Sequence, residues 1–366
     1  MSIIIDVGGL GPADIAAGPS ALSELMASLH ILAEPEHHPE AAEWTARAAA
    51  VNPALRDELA VFAPLWARFR CRLFYPRTLP VAAGLPEELA AIEDLPRTEF
   101  LGLVAPGVLG ATARPAPAAH ELRPGTEAAE EYVRQCRRRS HSRGDLAAEL
   151  VADPAAFRAR LLAVLRAADA AFFADDWHTL GPVLDDHARE VRRRLARPRP
   201  PVDVLTELLP TASRVGPGAR IRLDKLQIDE VVVGRRPLVL VPSVRVWPHL
   251  VVKDEDPSCV VVQYAVRAAM PSGPGQLSLR ALHDRLTALA SPGRMELCRH
   301  LLGEPITTSE LATRLGSTEP QVSRTLRQLR EAGLVRSTRD GKLVRHRLAT
   351  DVVRALGDDV LATVMR

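Results

Sequence analysis

Apolar positions recur every three to four residues through most of the chain, and run almost unbroken in one later stretch. Ser2–Val7 reads as a short apolar strand, followed by Gly8-Gly9-Leu10-Gly11-Pro12 and a helix over Pro19–Ala33. Ala41–Ala50 and Pro53–Leu73 carry helical spacing, with Trp44, Leu55, Leu59, Phe62, Leu65, Trp66 and Phe69 as a core stripe. Leu79–Ala118 is rich in proline and predicts one short helix, Pro86–Glu93, within loop. Helical spacing resumes over Glu127–Arg139, Asp145–Val151 and Pro154–Leu195, the last with a break expected at Gly181-Pro182. The prolines 198, 200 and 201 end it.

From Arg220 to Val266 the pattern changes. IRLDKLQIDEVVV, PLVLVPSV, HLVVK and CVVVQYAV are β-branched runs separated by turn residues. They predict one sheet of about four strands, joined by the N-terminal strand. Pro271–Gly275 reads as a linker, Leu277–Ala290 as an amphipathic helix striped by Leu279, Leu282, Leu286 and Leu289, and Asp351–Met365 as a closing helix. The fold class expected is α+β: a large mixed α/β N-terminal domain over 1–270, for regulation or dimerisation, and a C-terminal domain over 277–366.

Within that second domain, Thr307–Leu348 predicts helix, tight turn, helix and hairpin. Thr307 with Glu310, and Thr318 with Gln321, stand at capping-box spacing, where each side chain can satisfy an orphan donor of the first turn. Gly316 and Gly333 stop the two helices. Val322, Leu326 and Leu329 form the buried stripe of the second, and Gln321, Ser323, Arg324, Arg327 and Gln328 face away from it. Asp340-Gly341 is a hairpin-turn signal between LVRST and KLVRHRL. Such an outward face can pair with base edges, and an Arg/Lys-bearing ribbon can reach phosphate. Ser291–Thr350 holds 11 Lys+Arg and 6 Asp+Glu, so it is basic by five charges in a chain whose net is only +2.

SPGRMELCRHLLGEPITTSELATRLGSTEPQVSRTLRQLREAGLVRSTRDGKLVRHRL resembles the ArsR/SmtB winged-helix transcriptional regulators, above all in Val322-Ser323-Arg324, Leu326, Leu329 and Ala332-Gly333-Leu334-Val335. Ser20–Leu25 with Ser28-Leu29-His30, and Val241-Pro242-Ser243 with Trp247-Pro248, look like the actinobacterial subgroup of that family, which carries a large N-terminal domain of unknown function. The resemblance implies a cytoplasmic homodimeric regulator, expected to be a repressor, on a palindromic operator in double-stranded DNA. Thr308, Gln321, Ser323, Arg324, Arg327, Gln328, Arg336, Arg339, Lys342 and Arg345 are the candidate DNA contacts. Metal-sensing members use cysteines in the first helix of the motif. Here Ser309–Leu315 has neither Cys nor His, and Cys298 and His300 lie one helix earlier, so no metal site is expected.

Other chemistry changes this picture little. Neither phosphate-loop glycine spacing is present, although strand, glycines and helix follow one another at the N-terminus. Asp175, Asp176, His178, Asp185, Asp186 and His187 point several ways around one helix and lack a nucleophile motif, so no enzyme and no cofactor is expected. Glu34, Glu36, His37, His38 and Glu40 read as a solvated loop. The four cysteines lie far apart, with neither a disulfide framework nor zinc spacing. No apolar run is long enough to span a bilayer, so no membrane partner is expected. Arg245, Trp247 and His249 could line a pocket for a small anionic or amphipathic effector, although a core tryptophan is the better explanation of Trp247. The rival reading of the whole is a ligand-binding protein or enzyme whose winged helix serves protein contacts.

Overall fold

The computed structural model describes residues 2–50, 52–67, 71–77, 81, 84–110, 116–225, 228–266, 277–303, 305–340 and 343–365. Two compact units divide the chain: Ile3–Leu223 with Asp229–Met270, and Pro271–Arg366 with Met1–Ser2 and Asp224–Ile228.

In the larger unit, β1 (Ile3–Asp6) and β2 (Ile15–Ala17) belong to different sheets. Later come β3 (Ala212–Arg214), β4 (Arg220–Leu223), β5 (Asp229–Val232), β6 (Leu238–Ser243), β7 (Val251–Lys253) and β8 (Val260–Ala265). The strand orders are β3-β4-β1-β5 and β2-β6-β8-β7. The single sheet expected over 220–266 is therefore two. β1 draws β4 and β5 to itself, antiparallel and parallel respectively, while β2 pairs parallel with β6. Hydrophobic runs announce strands but do not name partners far along the chain. Every residue of β6 and β8 is buried, as parallel strands covered on both faces require. Val239, Val241 and Val261 join a helical core on one face. Leu238, Leu240, Val260, Val262 and Tyr264 join a second core on the other.

The helices of this unit are α1 (Ala21–Ala33), α2 (Ala42–Ala48), α3 (Pro53–Phe62), α4 (Leu85–Glu93), α5 (Arg97–Leu109), α6 (Glu127–Arg139), α7 (His141–Ala152), α8 (Pro154–Ala168), α9 (Ala174–Leu195) and α10 (Pro201–Leu208). Four of them depart from expectation. α3 stops at Phe62 because Pro64 cannot continue it, and 3₁₀ turns at Ala63–Leu65 and Arg72–Phe74 follow. Phe69 and the expected linker at Pro271–Gly275 lie outside the described residues. α5 occupies a stretch that reads as loop. It buries Phe100, Leu101, Val104 and Val108, and the Tyr132 hydroxyl donates to the Ala105 carbonyl at 2.9 Å, so packing overrides the low propensity of Gly102 and Pro106. α9 runs unbroken through Gly181-Pro182; the irregularity is instead a π-helical turn at Asp169–Phe173. α10 begins at Pro201, a proline that starts a helix rather than ending one.

α1 is buried all round, from Ala21 to Ile31. Its polar residues are tied to fixed partners. Glu88 accepts from the Ser20 hydroxyl at 2.5 Å and from Leu22 N–H at 2.7 Å, closing the helix start. Glu24 accepts from the Val244 and Arg245 N–H groups at 3.1 and 3.0 Å, which fixes the loop after β6.

The smaller unit contains α11 (Leu279–Leu289), α12 (Pro292–His300), β9 (Ile306–Thr307), α13 (Thr308–Arg314), α14 (Glu319–Glu331), β10 (Val335–Asp340) and β11 (Leu343–Leu348). The closing helix is two pieces, α15 (Thr350–Arg354) and α16 (Leu356–Met365). Its sheet has the order β10-β11-β9, over a core of Leu297, Leu301, Ile306, Leu311, Val322, Leu326, Leu329, Leu334 and Val335. No helix among the described residues is long and apolar enough to cross a membrane.

Candidate nucleic-acid interface

Short-range chemistry positions the helix pair. Thr307 N–H donates to Glu310 Oε2 at 3.1 Å, and Glu310 N–H to the Thr307 hydroxyl at 3.3 Å, so the first capping box closes both ways. At α14 the hydroxyls of Ser317 and Thr318 donate to Gln321 Oε1 at 2.9 and 3.2 Å. Gly316 and Gly333 have φ of 57° and 74°, a region that favours glycine. Each closes a Schellman turn, Ser317 N–H to Ala312 O at 3.0 Å and Leu334 N–H to Leu329 O at 2.8 Å. The turn between α13 and α14 is thereby set by backbone hydrogen bonds rather than by distant packing.

On α14, Val322, Leu326 and Leu329 are 2%, 4% and 0% exposed. Gln321, Ser323, Arg324, Arg327 and Gln328 are exposed. Arg324 and Arg327 make no ion pair among the described residues, so both forks remain available to a partner. Gln321 differs: its amide oxygen is held by the helix cap, which leaves its amide nitrogen for recognition. Thr308 stands at the start of α13, its hydroxyl 3.2 Å from His346 Nε2. His346 Nδ1 lies 2.8 Å from the Ser337 hydroxyl, and burial, with Arg330 nearby, holds the ring below its ordinary pKa. A neutral buried imidazole thus couples the wing to the first helix.

The wing places its candidates unequally. β10 and β11 pair as far as Asp340 opposite Leu343, and Lys342 lies outside the described residues. Arg339 is exposed. Arg336 pairs with Asp351 at 2.5 Å, both well exposed, a contact that solvent and salt weaken. Arg345 is half-buried, donating to Asp340 at 2.9 Å and to the Pro305 carbonyl at 3.3 Å. It braces the hairpin to the strand before α13. Arg285 braces the opposite end, donating to the Ala332 carbonyl at 3.2 Å and to the buried Asp359 at 3.0 Å.

In the larger unit the expected effector residues do not face one space. Arg245 donates to Asp176 at 2.7 Å and to the Ser28 hydroxyl at 2.9 Å, with its guanidinium carbon 4.1 Å from the centre of the Trp44 ring. Trp247 is buried in the helical core. His249 instead meets His30, their Nε2 atoms 2.8 Å apart. A cleft of about 780 Å³ lies elsewhere, lined by Gly18, Val81, Trp177, Pro182, Asp185 and Arg192 among others. The carboxylates and histidines of α9 diverge as expected: Asp176 accepts from Trp44 Nε1 at 2.7 Å, while His187 Nε2 lies 3.1 Å from the Tyr264 hydroxyl. The expectation of a solvated loop around His37-His38 is corrected. His38 is only 1% exposed, because the two 3₁₀ turns flanking it fold its ring inward against His30 and His249. Sequence reading missed this grouping, since its members are up to 219 residues apart.

Two helices joined by a glycine turn, a polar outward face and an arginine-bearing hairpin define a winged helix-turn-helix protein. Residues 289–338 match the model of a helix-turn-helix domain, and the C-terminal module is of the ArsR type. Residues 1–270 match a family of unknown function (DUF5937), and the chain belongs to that family. It is 37% identical over 73 residues to the HTH-type transcriptional regulator KmtR of Mycobacterium tuberculosis (strain ATCC 25618 / H37Rv), covering 20% of this chain and 56% of that protein. The chain therefore spans about half the length of that curated relative. Among solved structures, NolR from Sinorhizobium fredii is 25% identical, with 22% of this chain and 81% of that one covered at a TM-score of 0.20.

Proposed function

We propose that this protein is a DNA-binding transcriptional repressor that holds a palindromic operator as a homodimer. α14 would enter the major groove, and the β10–β11 hairpin would lie against the backbone. The observation that carries this reading is the face of α14: Arg324 and Arg327 exposed, with no ion pair among the described residues, opposite the buried Val322, Leu326 and Leu329. The match of residues 289–338 to a helix-turn-helix domain model includes that face. Dimerisation is supported by apolar side chains on α11 and α16, where Leu286, Leu361 and Val364 are 42%, 57% and 62% exposed. A two-fold axis would bury such stripes against themselves and set two recognition helices about one DNA turn apart. A small effector, if taken up by the larger unit, would find room in the cleft beside Trp177 rather than at Arg245, Trp247 and His249.

Footprinting on the DNA upstream of the protein's own gene tests the reading, with a salt titration beside it. The expected result is a palindromic footprint whose affinity falls steeply with salt, because phosphate contacts release counterions. A monomer by light scattering at micromolar concentration would remove the dimer. Absence of any salt-dependent DNA binding would shift the winged helix to protein contacts.

A further inference from the structure

We propose that His30, His38 and His249 bind a divalent transition-metal ion in the larger unit. Each offers a ring nitrogen, and these nitrogens all lie within 4.8 Å of one another. They arrive from three chain segments: α1, the junction of the 3₁₀ turns Pro35–His37 and Pro39–Ala41, and the loop between β6 and β7. That loop follows the carboxyl end of a parallel strand, where open α/β sheets place their ligands.

The hydrogen bonding argues for a ligand. His30 Nδ1 lies 3.2 Å from the Trp66 carbonyl, which can only accept, so Nδ1 carries the proton. His30 Nε2 then presents a lone pair toward His249. A metal-binding imidazole is oriented in this way, its second nitrogen donating to a backbone carbonyl. Neither ring nitrogen of the buried His38 makes a hydrogen bond among the described residues. Glu40 Oε1 lies 3.4 Å from His38 Nδ1, near enough for charge attraction although not aligned for a hydrogen bond. Leaving a buried polar ring unsatisfied is costly, and a coordinated cation supplies the missing partner.

The geometry needs only a small adjustment. Tetrahedral coordination with bonds of about 2.0–2.1 Å sets ligand nitrogens roughly 3.3 Å apart. His30 and His249 stand at 2.8 Å, sharing a proton that binding would displace, and His38 closes in from within the 4.8 Å limit. His37, with its ring centre 6.2 Å from that of His249, is a further imidazole beside the site. Imidazoles flanked by carboxylates suit Zn²⁺, Co²⁺ or Ni²⁺ rather than Mg²⁺ or Ca²⁺. His249 is half-buried, which gives the ion a way in. Metal binding at these histidines does not depend on DNA binding and is tested without DNA.

The test uses untagged, chelator-treated full-length protein. Calorimetric titration with Zn²⁺ should give one tight site per chain, and Co²⁺ should develop the visible bands of tetrahedral nitrogen coordination. At about 100-fold excess over Kd, Zn²⁺ should raise the melting temperature by several degrees. His38→Gln and His249→Gln should each weaken binding by more than the roughly 10- to 100-fold that loss of an outer-shell partner costs. His283→Gln, on the exposed side of α11, should bind as the unaltered protein does. Should either cluster variant fail to fold, diethyl pyrocarbonate labelling of the unaltered protein decides, with Zn²⁺ expected to protect His249. No saturable Zn²⁺ binding at tens of micromolar, unchanged binding in both cluster variants, or unprotected His249 in the presence of Zn²⁺ would overturn the proposal.

Discussion

Arg324 and Arg245 both look, in the sequence, like arginines set out to meet a ligand, and the structure treats them oppositely. Arg324 stands on the outer face of α14 with no ion pair among the described residues. Arg245 is held by Asp176, by the Ser28 hydroxyl and by the face of Trp44, with its side chain 12% exposed. A guanidinium has five donors in a fixed fork, so what matters is whether that fork is already filled. Arg324 leaves its fork open to solvent; Arg245 holds α1, α2, α9 and the loop after β6 in register. The two also differ in what supports them. A short stripe of three residues and two local caps hold the helix of Arg324, whereas contacts spanning most of the larger unit hold Arg245.

Removing the support beneath Arg324 should have the largest effect. Leu329 is fully buried in a small core, so Leu329→Ala should destabilise the winged-helix unit by about 2–5 kcal/mol and abolish DNA binding with it. Denaturation followed by circular dichroism, beside a gel shift, checks both. Arg245→Ala comes next. It takes the ion-pair partner from Asp176, which keeps its hydrogen bond from Trp44 Nε1, and removes the cation over Trp44, and should cost about 2–4 kcal/mol of stability in the larger unit. Urea denaturation showing a loss below about 0.5 kcal/mol would make Arg245 as dispensable to the fold as a surface arginine, and the comparison would collapse.

The start of α1 should add a pH dependence. Burial pushes the Glu88 carboxyl up to about 7 from an ordinary 4.5, partly offset by its hydrogen bond from Ser20. The folded state therefore holds this proton longer than the unfolded chain does. Its contribution is complete below 4.5, declines as pH rises toward about 7, and is constant above, a change of no more than about 3 kcal/mol. Burial raises Glu24 as well, and so adds a slope of the same sign. Urea midpoints measured from pH 4.5 to 7.5 should fall less steeply in Glu88→Gln than in the unaltered protein; equal slopes would remove Glu88 from the account.

Arg324→Ala should leave stability unchanged and relax the preference at one base pair per half-site, worth about 1–3 kcal/mol of discrimination. Selection from a randomised operator reads this directly, and an unaltered preference would move base reading to Arg327 or Gln328. The smallest effect is expected at Lys342. Lys342→Ala should weaken binding to all sequences alike and lower the salt slope by about one unit per half-site contact, measured by fluorescence anisotropy.

Much of the winged helix is legible in the chain because its determinants are local. Capping boxes, αL glycines and a three-residue stripe act within one or two turns, and the structure shows each of them at Thr307, Thr318, Gly316, Gly333, Val322, Leu326 and Leu329. The larger unit was legible in its elements and not in their partners. β-branched runs predict strands, but only the folded chain sends β1 to one sheet and β2 to another, and only burial makes a helix of Arg97–Leu109 despite its glycines and proline. Whether a candidate side chain is occupied was likewise decided in three dimensions: Gln321 by its own cap, Arg345 by Asp340, Arg245 by Asp176. The histidine cluster is the extreme case. His38 sits in what reads as solvated loop, yet tertiary packing sets it beside His30 and His249, because contacts between distant segments depend on how whole elements dock and not on any spacing along the chain.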